Sequence, residues 1–145
     1  MGDEVSDFAT KIGVTDLKAI FDYSEFHSLF KRRNYFLLGK DKFLIVKVSR
    51  NKRRPFYGLG KPFFDLFNRL TEKGGNYFFV ALVSDRSGWV LSKTDILNQI
   101  ASGSLSYSAS QAQYKINYYN LKDHHSFTSI EGFLHKVGHI TSEST

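Results

Sequence analysis

The chain has no cysteine among its 145 residues, which excludes a disulfide scaffold, a thiol nucleophile and a cysteine-ligated zinc site. No apolar run approaches the ~18 residues of a membrane span, and Met1-Gly2-Asp3-Glu4 has no basic start leading into an apolar stretch. These absences set the expectation of an intracellular chain, cytoplasmic or nucleoid-associated, with no membrane association. No internal repeat or linker divides the sequence. No nucleophile elbow marks serine chemistry, and the scattered acids show no glycosidase-style carboxylate pair. One absence is local: no acid occurs between Lys42 and Phe64.

What is present is aromatic and basic. Apolar residues make up 41% and aromatics 16%, with 14 Phe, 8 Tyr and one Trp, enough to pack an interior and to argue against a disordered chain. Twenty Lys and Arg against 14 Asp and Glu give a net charge of +6. The acid-free window holds seven of the bases (Lys42, Lys47, Arg50, Lys52, Arg53, Arg54 and Lys61), leaving 13 bases against 14 acids elsewhere. The basic character of the protein is therefore that of one stretch. Five like charges in the eight residues from Lys47 to Arg54 repel one another in a folded state unless a polyanion neutralises them. Phosphate backbones reward such a patch through counterion release.

Periodicity places the elements. Residues 1–14 read as a flexible lead-in and 138–145 as a flexible tail, bracketing one domain over 15–137. Leu17, Ile20, Phe21, Leu29 and Phe30 have helical spacing, and Lys31-Arg32-Arg33 would suit that helix's C-terminal end and extend a basic footprint. Residues 35–38 and 42–48 read as strands around a turn at Gly39-Lys40-Asp41. The second strand is apolar on consecutive positions and calls for cover on both faces. Pro62 fits the first turn of a helix carrying Phe63, Leu66, Phe67 and Leu70. Residues 77–83 are a further strand covered on both faces, and 89–91 a returning one. Ser92 and Asp95 form a capping box, and Thr128 with Glu131 a second candidate. Short strands are expected near 105–107 and over 114–118. The class is α+β: a single domain with a central mixed or mostly antiparallel sheet flanked by three to four helices.

The expected site is the basic strand–loop–helix segment. Lys47, Arg50, Lys52, Arg53, Arg54 and Lys61 would contact phosphates. Gly58 and Gly60 would let backbone approach a phosphate beside a helix start. Asn51, with Phe56 or Tyr57, would touch bases by hydrogen bonding and stacking. Tyr107, Tyr114, Tyr118 and Tyr119 alternate with polar residues, as a sheet surface or as a contact for sugars and bases. His124 and His125, adjacent on a strand, would point to opposite faces and not share a metal ion. The partner expected is a nucleic acid, DNA before RNA, with homodimer formation left open; no resident cofactor is required. An acidic protein partner is a further alternative.

Helix, strand, strand, helix, strand, with a lysine on the second strand and a basic flank, resembles the core of the PD-(D/E)XK nucleases over residues 15–85. In that family an acid on one strand and an acid-x-lysine on the next hold a divalent metal and activate water. The lysine matches Lys47, whereas the acid two residues before it falls on Ile45, and the upstream acid would be Glu25 or Asp41, neither of which follows a proline. The resemblance implies either a Mg²⁺-dependent endonuclease of restriction or mobile-element type, using Glu25, Asp41 and Lys47, or a relative that keeps the DNA-facing surface without the metal site.

Overall fold

The computed structural model describes residues 4–17, 34–49, 53, 56–72, 74–110 and 112–138. The first half runs α1 (Glu4–Ile12), β1 (Thr15–Asp16), β2 (Tyr35–Leu38), β3 (Lys42–Val48), β4 (Phe56–Gly60) and α2 (Lys61–Thr71). The second half runs β5 (Asn76–Ser84), β6 (Ser87–Ser92), α3 (Lys93–Ala101), β7 (Ser106–Ser108), β8 (Gln113–Asn117), β9 (Ser126–Phe127) and α4 (Ile130–Lys136). Six strands form a mixed sheet in the order β1-β2-β3-β5-β6-β9, and three form a second sheet in the order β4-β8-β7. In the large sheet β3 and β5 are parallel and every other pair is antiparallel. This is one α+β domain, with four α-helices among the described residues.

The two strands that are apolar at consecutive positions, β3 and β5, occupy the middle of the large sheet, because only there are both faces covered. Phe43, Ile45, Tyr77, Phe79 and Leu91 point to one face and meet Phe63, Leu66 and Phe67 of α2 together with Tyr57, Leu59 and Ile116 of the small sheet. Leu44, Val46, Phe78, Val80 and Val90 point to the other and meet Phe8, Ala9 and Ile12 of α1 and Phe133 of α4. Hairpin turns follow the sequence: Gly39 takes a φ of +67° between β2 and β3, a conformation glycine adopts without steric cost. Gly75, before β5, is required for space. A Cβ there would lie 2.7 Å from the Phe43 ring and 3.0 Å from the Asp41 carbonyl oxygen.

Local chemistry sets the helix starts. Gly60 is the N-cap of α2, with Pro in its first turn and no side-chain cap. At α3 the Ser92 hydroxyl accepts from the Asp95 N–H at 3.1 Å while the Asp95 carboxylate accepts from the Ser92 N–H at 2.9 Å, the expected capping box. At α4 the cap is Ser129, whose hydroxyl accepts from the Gly132 N–H at 3.0 Å, one residue later than the expected Thr128.

Three expectations are corrected. The lead-in expected over 1–14 is, from Glu4 onward, helix α1: Phe8 is fully buried and packs edge-on to Phe133 at 4.9 Å. Lys11 ties the helix to the β5–β6 turn by an ion pair with Asp85 at 2.9 Å. Hydrogen bonds from Lys11 and then Arg86 hold the half-buried Asp85 carboxyl below its usual range. The apolar residues Val5, Phe8, Ala9 and Ile12 carried this helix, but only four of them in nine residues, ahead of Gly13, left the pattern short. Second, Gly58 and Gly60 are not a loop; they lie in β4, the first strand of a small sheet that stands beside the expected central mixed one. Third, His124 and His125 lie in a 3₁₀ turn over Asp123–His125, not on a strand, so their rings face one another at 4.0 Å. The expected helix beyond Leu17 lies outside the described residues, although Leu17 itself is fully buried, and so does the tail after Gly138.

Because Phe8 fills the junction of α1, β9 and α4, replacing it by Ala should cost about 3–5 kcal/mol, read as a lowered urea midpoint with an unchanged slope. An unaltered midpoint would mean that the N-terminal segment does not dock on the sheet.

Candidate nucleic-acid interface

Alternation along β4 sorts the expected contact residues. Tyr57 and Leu59 point inward, and Gly58 and Gly60 stand at the outward positions, because side chains switch face at every strand residue. Tyr57 is only 3% exposed, stacks edge-on to Phe79 at 5.3 Å and donates its hydroxyl to the Leu82 carbonyl at 3.5 Å. Burial pushes its hydroxyl pKa up to about 12, against the pull of a backbone hydrogen bond with Ser49. Tyr57 is thus a core residue and no stacking platform.

Lys47 sits half-buried at the end of β3 and donates to the Gly58 carbonyl oxygen at 2.8 Å. Its ammonium caps backbone on the outer edge of β4, which also shields that edge from pairing with another strand. Lys61 is exposed and forms an i,i+4 pair with Asp65 at 2.7 Å, a surface pair worth well under 1 kcal/mol that leaves the cation accessible. Arg53 is exposed. Arg50, Asn51, Lys52 and Arg54 lie outside the described residues, as do Lys31, Arg32 and Arg33.

The glycines serve the protein's own packing. At Gly58 a Cβ would lie 2.5 Å from Gln113 Oε1 and 2.7 Å from its Cδ and Nε2, so the amide lies directly over the bare backbone. At Gly60 a Cβ would meet only ordinary contacts of 3.5 Å or more. The space that a phosphate was expected to use above Gly58 is taken by a hydrogen-bonding side chain on the outer face. The register lines up Gly58 with Lys115 and Gly60 with Gln113 there, and β7 adds Ser106 and Ser108.

The strands of this small sheet come from two acid-free stretches. β4 ends the basic window, and β7 and β8 lie within residues 96–122, which contain Lys115 and Lys122 and no Asp or Glu. No carboxylate stands on any of its three strands. Beside it, Tyr107, Tyr118 and Tyr119 are 56%, 45% and 56% exposed, three of the four large hydrophobic residues so exposed among those described.

A second polar cluster lies at the other face of the large sheet. Ser92, Asp95, His124, His125 and Lys136 line a cleft of about 190 Å³ floored by Phe78 and Val90. His125 is buried; its Nδ1 accepts from the Lys122 N–H at 3.4 Å and its Nε2 lies 3.7 Å from Asp95 Oδ2. Lys136 donates to the His124 carbonyl at 2.7 Å. With both ring nitrogens engaged, His125 has none left to act as a base toward a ligand. Burial holds its pKa below the usual histidine range, with the nearby Asp95 carboxylate pulling upward and His124 and Lys136 pulling down.

The metal set implied by the nuclease resemblance does not assemble from these residues. Asp41 lies in the β2–β3 turn, exposed and paired with Lys42 at 3.3 Å. Lys47 is six residues along the same strand direction, about 20 Å away, and cannot share an ion with Asp41. Position 45, where the family carries its second acid, is the fully buried Ile45; Glu25 lies outside the described residues. No group of three or more His, Asp or Glu able to hold a metal occurs among the described residues. No helix among them is long and apolar enough to cross a membrane.

Comparison with protein-family models, with curated proteins and with solved structures finds no match to this chain.

The buried, neutral His125 makes stability depend on pH. Its folded pKa lies below that of the unfolded chain, about 6.5, so on acidification the unfolded state takes up the proton first. Stability is therefore full above about pH 6.5 and falls below it until the folded histidine also titrates. The thermal midpoint should drop between pH 7 and 5 by less in His125→Gln than in the parent, each referred to its own value at pH 7.5. His124→Gln, at the exposed neighbour, should leave most of the drop. Equal drops in the parent and His125→Gln would show that another group carries the acid sensitivity.

Proposed function

We propose that this protein is a nucleic-acid-binding domain, for DNA before RNA, which grips the phosphate backbone through the basic connection between β3 and β4 and the carboxylate-free small sheet that follows it. The observation that carries this reading is the segregation of charge: seven bases without an acid from Lys42 to Phe64, continued by a sheet whose other strands also come from an acid-free stretch. A solvated surface without a ligand gains nothing from excluding acids, since interspersed signs lower self-repulsion. A polyphosphate gains from it at every contact. Arg50, Lys52, Arg53 and Arg54 supply the phosphate contacts in this reading, with Lys61 and Lys115 along the sheet. Asn51, in the same connection, is a hydrogen-bonding contact for a base. Lys47, occupied by the Gly58 carbonyl, supports the edge of the surface by fixing β4.

The test is a salt titration of affinity for a fluorescent oligonucleotide. The logarithm of the binding constant should fall linearly with the logarithm of salt, with a slope of several released cations. Arg53→Ala with Arg54→Ala should lower that slope by about 1 to 2, while Lys11→Ala, on the opposite side of the large sheet, should leave it unchanged. A slope that ignores Arg53 and Arg54 would remove this segment as the binding surface.

A further inference from the structure

Resting on that reading, we infer that the strand bound is single, and that its unpaired bases stack on the exposed tyrosines at the rim of the small sheet, Tyr107 on one side and the Tyr118–Tyr119 step on the other. Three large aromatic rings are left open to water between residues 107 and 119, among the four most exposed large hydrophobic residues described. Each is held from below. Tyr107 packs against Tyr114 at 5.0 Å, Tyr114 against Phe64 at 6.0 Å and Phe64 against the buried Phe63 at 4.8 Å. This row runs from the core to the surface and fixes the outermost ring.

The second platform is positioned by polar contacts. Asn117 donates its side-chain N–H to the Tyr119 hydroxyl at 3.1 Å, and Tyr118 meets Tyr119 edge-on at 5.5 Å. Lys122 donates to the Tyr119 backbone carbonyl at 3.0 Å, which ties a cation to the same turn. Rings fixed before binding lose little entropy when a base lies on them, and any base offers a π-face, so such platforms act without regard to sequence. The bases of a duplex are stacked on one another and cannot offer those faces, whereas an unpaired strand can.

Charge decides the class of ligand. Tyrosines beside Asn and Gln also suit neutral sugars, but a glycan would be indifferent to carboxylates in its surroundings, and none stands anywhere from Ile96 to Lys122. The register carries the backbone path: Arg53 leads into β4 at the end where Phe56 pairs with Asn117, beside Tyr118, and Lys61 follows Gly60 at the other end. Cations thus flank the tyrosines along the direction a strand would run.

The experiment compares four oligonucleotides of equal length at one salt concentration: a mixed-sequence single strand, the same strand as a duplex, the same backbone made abasic, and a homopyrimidine strand. The mixed and homopyrimidine single strands should bind at least tenfold tighter than the duplex and the abasic chain. Tyr107→Leu and Tyr119→Leu should each lose about five- to hundredfold of single-strand affinity per lost stack, with an unchanged salt slope. Tyr107→Phe and Tyr119→Phe, which keep the ring, should bind within about threefold of the parent, and equal thermal midpoints among the variants would show that folding is intact. Equal binding of single strand, duplex and abasic chain, or Leu variants that bind like the parent, would overturn the stacking inference and leave the phosphate reading standing. Absence of salt-dependent binding to all four would overturn both.

Discussion

The parallel pairing of β3 with β5 is the constraint from which the rest of the molecule follows. Two strands lying side by side in the same direction cannot be joined by a tight turn; the chain must leave the end of one and travel back to the start of the other. Here it leaves after Val48 and returns at Asn76. Its two described elements, β4 and α2, lie on the side of the large sheet to which Ile45 and Phe79 point, because their apolar residues are buried there. The cationic connection, the strand with two glycines and the Phe-rich helix are therefore one crossover unit. The basic stretch of the sequence follows directly on the carboxyl end of β3.

A single alternation along β4 separates stability from contact within that unit. Tyr57 and Leu59 give the small sheet its hold on the core, and the residues between them are left to face outward. Gly58 and Gly60 carry no side chain to face outward, and at Gly58 the backbone is covered by the Gln113 amide. With Tyr57 committed to the interior, the most exposed aromatic residues among those described are the tyrosines of β7 and of the turn after β8. The aromatic row through Phe64, Tyr114 and Tyr107 shows why such rings can be both exposed and fixed: each is supported by the next, down to a fully packed layer.

Where a pattern was long and periodic, sequence and structure agree. The consecutive apolar runs at 43–46 and 77–83 mark the two central strands, Pro62 and the Phe63-Leu66-Phe67-Leu70 stripe mark α2, and Ser92 with Asp95 marks the start of α3. The differences have physical causes. Helix α1 has barely two turns and owes its place to Phe8 against Phe127 and Phe133, contacts with residues more than a hundred positions away that no local pattern contains. Strand β4 was hidden because glycines at alternate positions look like a turn until a partner strand pairs with them; the partner, β8, comes more than fifty residues later. The site was legible as charge and illegible as geometry. The acid-free window was evident, and the equally acid-free stretch of residues 96–122 was a second signal of the same surface. That Lys47 would turn to a backbone carbonyl, and Tyr57 inward, depended on the register of strands that the sequence does not state.

The distribution of acids completes the electrostatic argument. Glu4, Asp7 and Glu131 lie on α1 and α4, which cover the face of the large sheet opposite the small one. Layers in such a fold are spaced about 10 Å apart, so these carboxylates stand about two layers, roughly 20 Å, from the small sheet. The screening length at physiological ionic strength is about 8 Å. Across that distance the acids neither neutralise the cations of the crossover nor repel a polyanion that lies on them. The two faces act as electrically separate surfaces, and the near-neutral remainder of the chain imposes no cost on a strongly basic patch. On the near side Asp65 pairs with Lys61 at 2.7 Å and Glu72 ends α2, so these two acids offset part of the charge of the crossover, whereas those on α1 and α4 do not.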